Sequence, residues 1–420
     1  MKKLFTLITL FTLFTQYPFT QWVQQTVPVS KPITGIKFIN SNTGWACTEN
    51  SGSPNRAYIL YTSNGGINWS IQDSVNNATY GAIRVINANT IYCGGYDFSS
   101  NSANLKKTTN GGINWLLIPT PTNMAIGDMQ FLNEDSGWTT VGNVGADVRT
   151  TTNGGLNWIV RTNGIAAQTQ KIFFLNYSTG FCGANFFLYK TTNAGLNWFS
   201  FYSPPNEVFS IYFLNENTGW LGLNNNRIHY TSNAGANWTS QQVPLVNSQP
   251  VMDMYFLNDM TGWAGRNTNI YLTTNGGNNW GYQIVTNGTS RLSFIDASTG
   301  WGGNFGISKT TNNGGTIFYS GFEPNGTSLP NTYKLYQNYP NPFNPNTTII
   351  VDIPRSSHVD FIIFDILGKI LHHESEELNA GSYEFKWDAA KYSSGIYLYK
   401  LTSISGKEIY SETKKMMLVK

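Results

Sequence analysis

The chain has 420 residues, of which 12 % are charged and 15 % aromatic, with 41 Gly and a net charge of +3. A disordered polymer carries few aromatics and much charge, so that class is excluded, and the small net charge without a basic run excludes nucleic acid as a partner. Plentiful Asn, Thr, Gly and aromatics suit short strands joined by tight turns, and the length allows two or three domains.

The N-terminus reads MKKLFTLITLFTLFTQYPFTQW. Lys2 and Lys3 precede an apolar run, Leu4–Phe14, that is shorter than the roughly 20 residues a spanning helix needs. Residues 1–20 are therefore expected to be a secretory signal peptide, cut after Thr15 or Thr20. No later stretch is long and apolar enough to cross a membrane.

From residue 21 to 320 two phrases alternate. The first is FINSNTGW from Phe38, FLNEDSGW from Phe131, FLNYSTGF from Phe174, FLNENTGW from Phe213, FLNDMTGW from Phe256 and FIDASTGW from Phe294; a weaker copy, VINANTIY, starts at Val85. The second ends on Trp69, Trp115, Trp158, Trp198, Trp238 and Trp280, as in KTTNGGINW from Lys107, with intervals of 46, 43, 40, 40 and 42 residues. Seven units of about 40 residues, each readable as four short strands, predict an all-β fold: a seven-bladed β-propeller. In the fourth unit the strands are KIFFLN, FCGA, LYKTT and NWFSFY.

The seventh unit reads TTNNGGTI, which puts Ile317 where Trp belongs. Trp22 stands 16 residues before Phe38, the spacing that also separates Trp115 from Phe131 and Trp158 from Phe174. The segment WVQQTVP is thus expected to supply the outer strand of the seventh blade and to tie the ring. That role requires Trp22 to survive processing, which favours cleavage after Thr20 or earlier.

Cys93 and Cys182 occupy a repeat position that holds Ala46, Leu221 or Ala264 elsewhere. Such a position is small and buried, so these and Cys47 read as core thiols, and no metal site is expected. In the second phrase Asn64, Asn110, Asn153, Asn193, Asn233, Asn275 and Asn312 precede a glycine and a Trp at fixed spacing. Asn closes its own loop by accepting backbone N–H bonds, Gly supplies the backbone freedom and Trp packs between sheets. Neutral amides neither move protons nor make a calcium cage, so the phrase is a structural joint.

This spacing resembles the Asp-box, or BNR, repeat, with Asn in place of Asp. The pairing of the two phrases resembles the photosystem II assembly/stability factor family of seven-bladed propellers over about residues 22–320. The resemblance implies the fold; that family binds assembling reaction-centre proteins through an arginine-rich face. Arginine is sparse here and the tail points elsewhere, so the photosynthetic role is not carried over.

EPNGTSLPNTYKLYQNYPNPFNPNTT, from Glu323, is rich in Pro and Asn and reads as an extended connector, with the linker over 321–338. Beyond it, TTIIVDIP, VDFIIFDILGKIL, GSYEFKWDA and SGIYLYKLTS alternate as strands of a small antiparallel β-sandwich. LYQNYPNPFNPNTTI, FDILGK, GSYEFKWD, SSGIYLYKL and the ending KMMLVK closely resemble the type A C-terminal sorting domain of the type IX secretion system, here residues 335–420. The resemblance implies export across both membranes of a Gram-negative cell, with the type IX machinery as partner. The product is then secreted or held at the outer-membrane surface, usually after the tail is removed.

Ligands of propellers sit at the channel mouth, on the face carrying the b–c and d–a loops. Gly35, Ala82, Asp128, Lys171, Ser210, Asp253 and Arg291 lie three residues before each first phrase and are expected to ring that mouth. The b–c loops add Tyr96, Asp97, Phe98, Arg56, Asp147, Arg227 and Arg266. No Ser/His/Asp set, phosphate loop or cofactor motif stands among them. A non-enzymatic binder of an extracellular protein or glycan is the leading reading. An Asp-box glycoside hydrolase working through Asp128 and Asp253 is the alternative.

Overall fold

Each first phrase places a Phe opposite a Gly across a two-stranded turn, and sterics explain the coupling. A Cβ on Gly44 would fall 2.6 Å from the Phe38 ring; on Gly219 and Gly262 it would fall 2.3 Å and 2.2 Å from Phe213 and Phe256. The Phe can therefore lie flat over its neighbour only where that neighbour has no side chain. In the second unit both members change together: Val85 pairs with Ile91, so a smaller ring-less residue faces a larger partner.

In this computed structural model, which describes residues 22–118, 120, 125–141, 147–224, 227–243, 249–267, 269–315, 318–319, 322–325, 329–378 and 380–420, the repeats form seven antiparallel sheets around a channel. Blade 1 runs Ile33–Phe38, Gly44–Thr48, Arg56–Thr62 and Ser70–Asn76 from the axis outward. Blades 2 to 6 repeat this order, and blade 6 gains a fifth strand, Phe318–Tyr319, on its rim. The signal segment and Ile317 lie outside the described residues.

Blade 7 contributes Arg291–Phe294, Gly300–Gly303 and Ile307–Thr310, and its outer strand is Val23–Gln25 from the other end of the propeller. Val23 pairs with Lys309 and Gln25 with Ile307. Trp22 is buried and meets Phe294 edge-on at 5.9 Å, as Trp69 meets Phe38 at 5.8 Å and Trp280 meets Phe256 at 6.0 Å. Its Nε1 donates to Gln283 Oε1 at 2.9 Å, the same bond that Trp280 makes to Gln241 at 3.3 Å.

The blades are joined by rings. An aromatic on the second strand of one blade stacks on the Phe of the next: Trp301 on Phe38 (3.5 Å), Tyr92 on Phe131 (3.8 Å), Trp138 on Phe174 (3.8 Å) and Trp220 on Phe256 (3.6 Å). Phe181 on Phe213 and Trp263 on Phe294 complete six such contacts. Between blades 1 and 2, where Val85 stands, Trp45 has no stacking partner of this kind among the described residues.

The second phrase closes each outer hairpin. Thr62 Oγ1 donates to Asn64 Oδ1 (3.0 Å), Gly66 N–H donates to Thr62 Oγ1 (2.9 Å) and Asn68 N–H to Asn64 Oδ1 (2.9 Å). The same three bonds recur around Asn110, Asn153, Asn193, Asn233 and Asn275. Gly66 sits at φ +96°, a conformation that favours glycine. Trp69, Trp198 and Trp280 are buried, while Trp115, Trp158 and Trp238 are half-buried.

The C-terminal module is a sandwich of two four-stranded antiparallel sheets. One orders Phe322–Pro324, Gly381–Asp388, Asn346–Ile353 and Lys334–Leu335; the other orders Ile370–Leu378, Ser357–Asp365, Gly395–Ser405 and Glu408–Leu418. Two segments of the connector are thus strands of the sandwich. Alternating inward side chains, among them Ile349, Val351, Val359, Phe361, Ile363, Tyr399 and Leu401, make its core. Phe343 is buried there and brackets the final strand, donating from its N–H to Met417 O and accepting at its carbonyl from Val419 N–H.

Replacing Trp22 by Ala is expected to cost about 3–5 kcal/mol in urea unfolding, the range for a buried Trp. Deleting residues 21–28 should lower the thermal midpoint at least as far. Val85→Phe alone should destabilise by about 1–3 kcal/mol through overpacking against Ile91. Val85→Phe with Ile91→Gly should recover stability by restoring the seventh stack, and a double variant no better than the single would refute that origin of the coupling.

Candidate functional site

The innermost strand of every blade runs along the channel, and its start is irregular for a reason that bears on the site. The pairing register shifts between Ile33 and Gly35, Tyr80 and Ala82, Ile126 and Asp128, Thr169 and Lys171, and Val208 and Ser210. A bulge of this kind leaves one residue unpaired and re-aims the next. In blades 6 and 7 the strand simply begins at Asp253 and Arg291. All seven positions line one cavity of about 400 Å³ on the axis.

Side chains two residues on share a strand face, so a second tier follows the first. Lys37 and Arg84 come from blades 1 and 2, Gln130 from blade 3, and Phe173, Tyr212 and Tyr255 from blades 4 to 6. Cations gather on one side and aromatic rings on the other. Lys37 and Arg84 escaped the sequence reading because it took one position per repeat. The period-2 rule applied to that same strand would have found them.

The two carboxylates are heavily engaged. Asp128 Oδ1 accepts from Arg84 Nη2 at 2.7 Å and from Met129 N–H at 2.9 Å, and its Oδ2 accepts from Ile172 N–H of blade 4 at 3.3 Å. Asp253 Oδ1 accepts from Met254 N–H at 2.9 Å, and Oδ2 from Leu292 N–H of blade 7 at 2.8 Å. Each thus bridges its own blade to the next. Burial raises the Asp253 carboxyl above its ordinary value, against the pull of the Leu292 N–H and the Arg291 guanidinium.

Arg291 is also anchored, donating from Nε to Thr34 O and from Nη1 to Ser290 O, both at 2.7 Å. The lysines differ. Burial holds both ammonium groups below the ordinary lysine value; Arg84 adds to this at Lys37, and Arg291 and Arg84 at Lys171, where Asp128 pulls the other way. Neither ammonium makes a hydrogen bond or ion pair with any of the described residues. Tyr212 donates its hydroxyl to Phe256 O at 2.7 Å, and burial lifts its pKa to about 12.

The structure brings Asp128, Lys171, Asp253 and Arg291 together and leaves Tyr96, Asp97, Arg227 and Arg266 off the channel wall. Tyr96 bonds Asn101 and meets Phe98 edge-on, while Asp97 caps its own turn by accepting from Ser99 N–H at 2.8 Å. Arg227 is exposed and reaches Ser240 on the neighbouring outer strand. Arg266 is buried, its Nη1 donating to Tyr271 Oη at 2.9 Å and its guanidinium over that ring. These b–c loops end further from the axis than the innermost strands, so their side chains serve their own hairpins. Among the described residues no group of His, Cys, Asp and Glu could hold a metal ion.

A sorting tail behind a ring of seven sheets with a polar, aromatic-sided channel defines the class: an exported β-propeller. Residues 337–418 match the family model of the secretion system C-terminal sorting domain. No curated protein shows a significant match to the chain. Among solved structures, YCF48 bound to D1 peptide is 17 % identical with a TM-score of 0.56, over 70 % of this chain and 98 % of that one. YCF48 from Cyanidioschyzon merolae is 14 % identical at TM-score 0.54, over 70 % and 99 %. The GH74 xyloglucanase from Xanthomonas campestris is 12 % identical at TM-score 0.54, over 79 % of this chain and 59 % of that one. At these identities the likeness carries the fold alone.

The raised Asp253 carboxyl gives a pH signature. The folded state holds this proton to higher pH than the unfolded state, whose value is near 3.8, so the group's contribution is greatest in acid and is lost as pH rises through the raised value. The difference in thermal midpoint between wild type and Asp253→Asn should therefore grow in favour of Asn as pH rises from about 4 to 8. A difference that stays flat would remove the burial assignment.

Proposed function

We propose that the protein is a secreted or surface-displayed scaffold whose propeller channel binds an extracellular protein or glycan without turning it over. The observation that carries this reading is the division of labour in the channel. Both carboxylates are occupied by backbone N–H groups and Arg84, whereas Lys37 and Lys171 keep their donors for a guest. A general acid/base pair needs carboxyls open to substrate, and bound latches serve that poorly. The sorting tail supports delivery by the type IX route.

A hydrolase is the second reading, favoured by one feature: burial keeps the Asp253 carboxyl easier to protonate, as a catalytic acid requires, opposite an Asp128 held by arginine. Glycan release by wild type and by Asp128→Asn/Asp253→Asn separates the two. The binder is expected to release nothing in either; release by wild type overturns it, and release that vanishes in the double variant assigns the chemistry to the two aspartates. Removing residues 337–418 should leave the chain in the periplasm on cell fractionation, and a truncated chain found in the medium would refute the role of the tail.

A further inference from the structure

We propose that the channel is a receptor for an acidic sugar ring, a uronate whose carboxylate lies between Lys37 and Lys171 while its ring rests on Tyr212 and Tyr255. The inference rests on the reading that the channel is the ligand site, and it adds the ligand's chemistry. Charge balance comes first. Four cations, Lys37, Arg84, Lys171 and Arg291, face two carboxylates, and both carboxylates already carry hydrogen bonds from protein donors.

The surplus is uncompensated where it matters. Lys37 and Lys171 bond to no described residue, and burial holds each below its ordinary value; Arg84 adds to this at Lys37, while the pull of Asp128 opposes it at Lys171. Leaving ammonium groups half-buried without a hydrogen-bonding partner costs stability, and a bound carboxylate would offset that cost with charge-assisted hydrogen bonds. A bare anion would satisfy these lysines but would leave the aromatic part of the wall unused.

That wall gives the rest of the ligand. Phe173 and Tyr212 lie 5.9 Å apart and Tyr212 and Tyr255 6.0 Å apart, a half-buried aromatic arc across from Lys37 and Arg84 whose rings also pack on Phe213, Phe256 and Phe294 of the next blades. Aromatic faces are negative and attract C–H bonds made positive by neighbouring oxygens, which a pyranose presents on one side. The cavity of about 400 Å³ suits one or two such rings.

The test titrates the full-length chain, by calorimetry, with D-galacturonate and D-glucuronate, their neutral parents galactose and glucose, and sodium acetate. At least one uronate should bind saturably, about tenfold or more tighter than its neutral parent and than acetate. Lys37→Met and Lys171→Met should each weaken that uronate about tenfold while leaving the thermal midpoint unchanged or higher, because a half-buried cation without a hydrogen-bonding partner has been removed. Tyr255→Leu should weaken the uronate and not acetate. Acetate binding as well as either uronate would mark a general anion sink and overturn the proposal. Neutral sugars binding equally well, in a manner lost in Tyr255→Leu, would overturn the charge argument while leaving the channel as the site. Binding of no probe would overturn the proposal as well. A lysine variant that loses both binding and thermal stability would assign Lys37 or Lys171 to the fold.

Discussion

The phenylalanine that opens each repeat carries the architecture, because it is held from two sides at once. One face lies on the aromatic of the preceding blade and its edge receives the Trp of its own blade, as Phe256 does with Trp220 at 3.6 Å and Trp280 at 6.0 Å. Each such pair adds about 0.5–1.5 kcal/mol beyond area burial. Its larger effect is geometric: it fixes spacing and angle between neighbouring sheets at six of seven joints. Closing a ring needs small errors at every joint, and a repeated rigid contact supplies them. The seventh Trp comes from the far end of the propeller, so the contact that sets the angle also ties the two ends together.

That same sandwich dictates what the channel can offer. With Phe38 and its equivalents committed to the blade joints, the residues of the innermost strand that face the other way are left to line the axis. Bulges at the strand starts turn Asp128 and Lys171 toward it and leave their unpaired neighbours, Gly127 and Gln170, outside the ladder. Gly35 shows the limit of this freedom. A Cβ there would lie 2.9 Å from Ile83 and 3.0 Å from the Cys47 sulfur, so that blade contributes its cation two residues later, at Lys37.

Fold class was legible because it rests on local, repeated chemistry. Phe with Gly, Thr with Asn and Gly, and the spacing of Trp are each short-range requirements, and a chain that states them six or seven times leaves little ambiguity. The channel charges at Asp128, Lys171, Asp253 and Arg291 were legible for the same reason, since one repeat position maps to one place on the axis. Lys37 and Arg84 were not, because their importance depends on what faces them across the ring. Arg266 shows the opposite failure: a charged residue in a loop suggests exposure, but the Tyr271 hydroxyl and ring beside it make burial affordable. The connector hid Phe322–Pro324 and Lys334–Leu335, short pairings whose partners lie far along the chain.

Charged groups in the channel divide by whether the backbone uses them, and this separates scaffold from site better than position does. Asp128 and Asp253 look like a catalytic pair on a list of lining residues, but each accepts an N–H from the neighbouring blade and so belongs to the joint. Arg84 neutralises one of them, and Arg291 is consumed by carbonyls. The lysines have no such duties. A half-buried cation that bonds to no described neighbour is at odds with the folding logic that fills the rest of the ring. Lys37 stands across the ring from the half-buried aromatic side chains, and Lys171 stands beside them, two residues before Phe173 on the same strand. The combination is hard to account for as architecture and simple to account for as recognition.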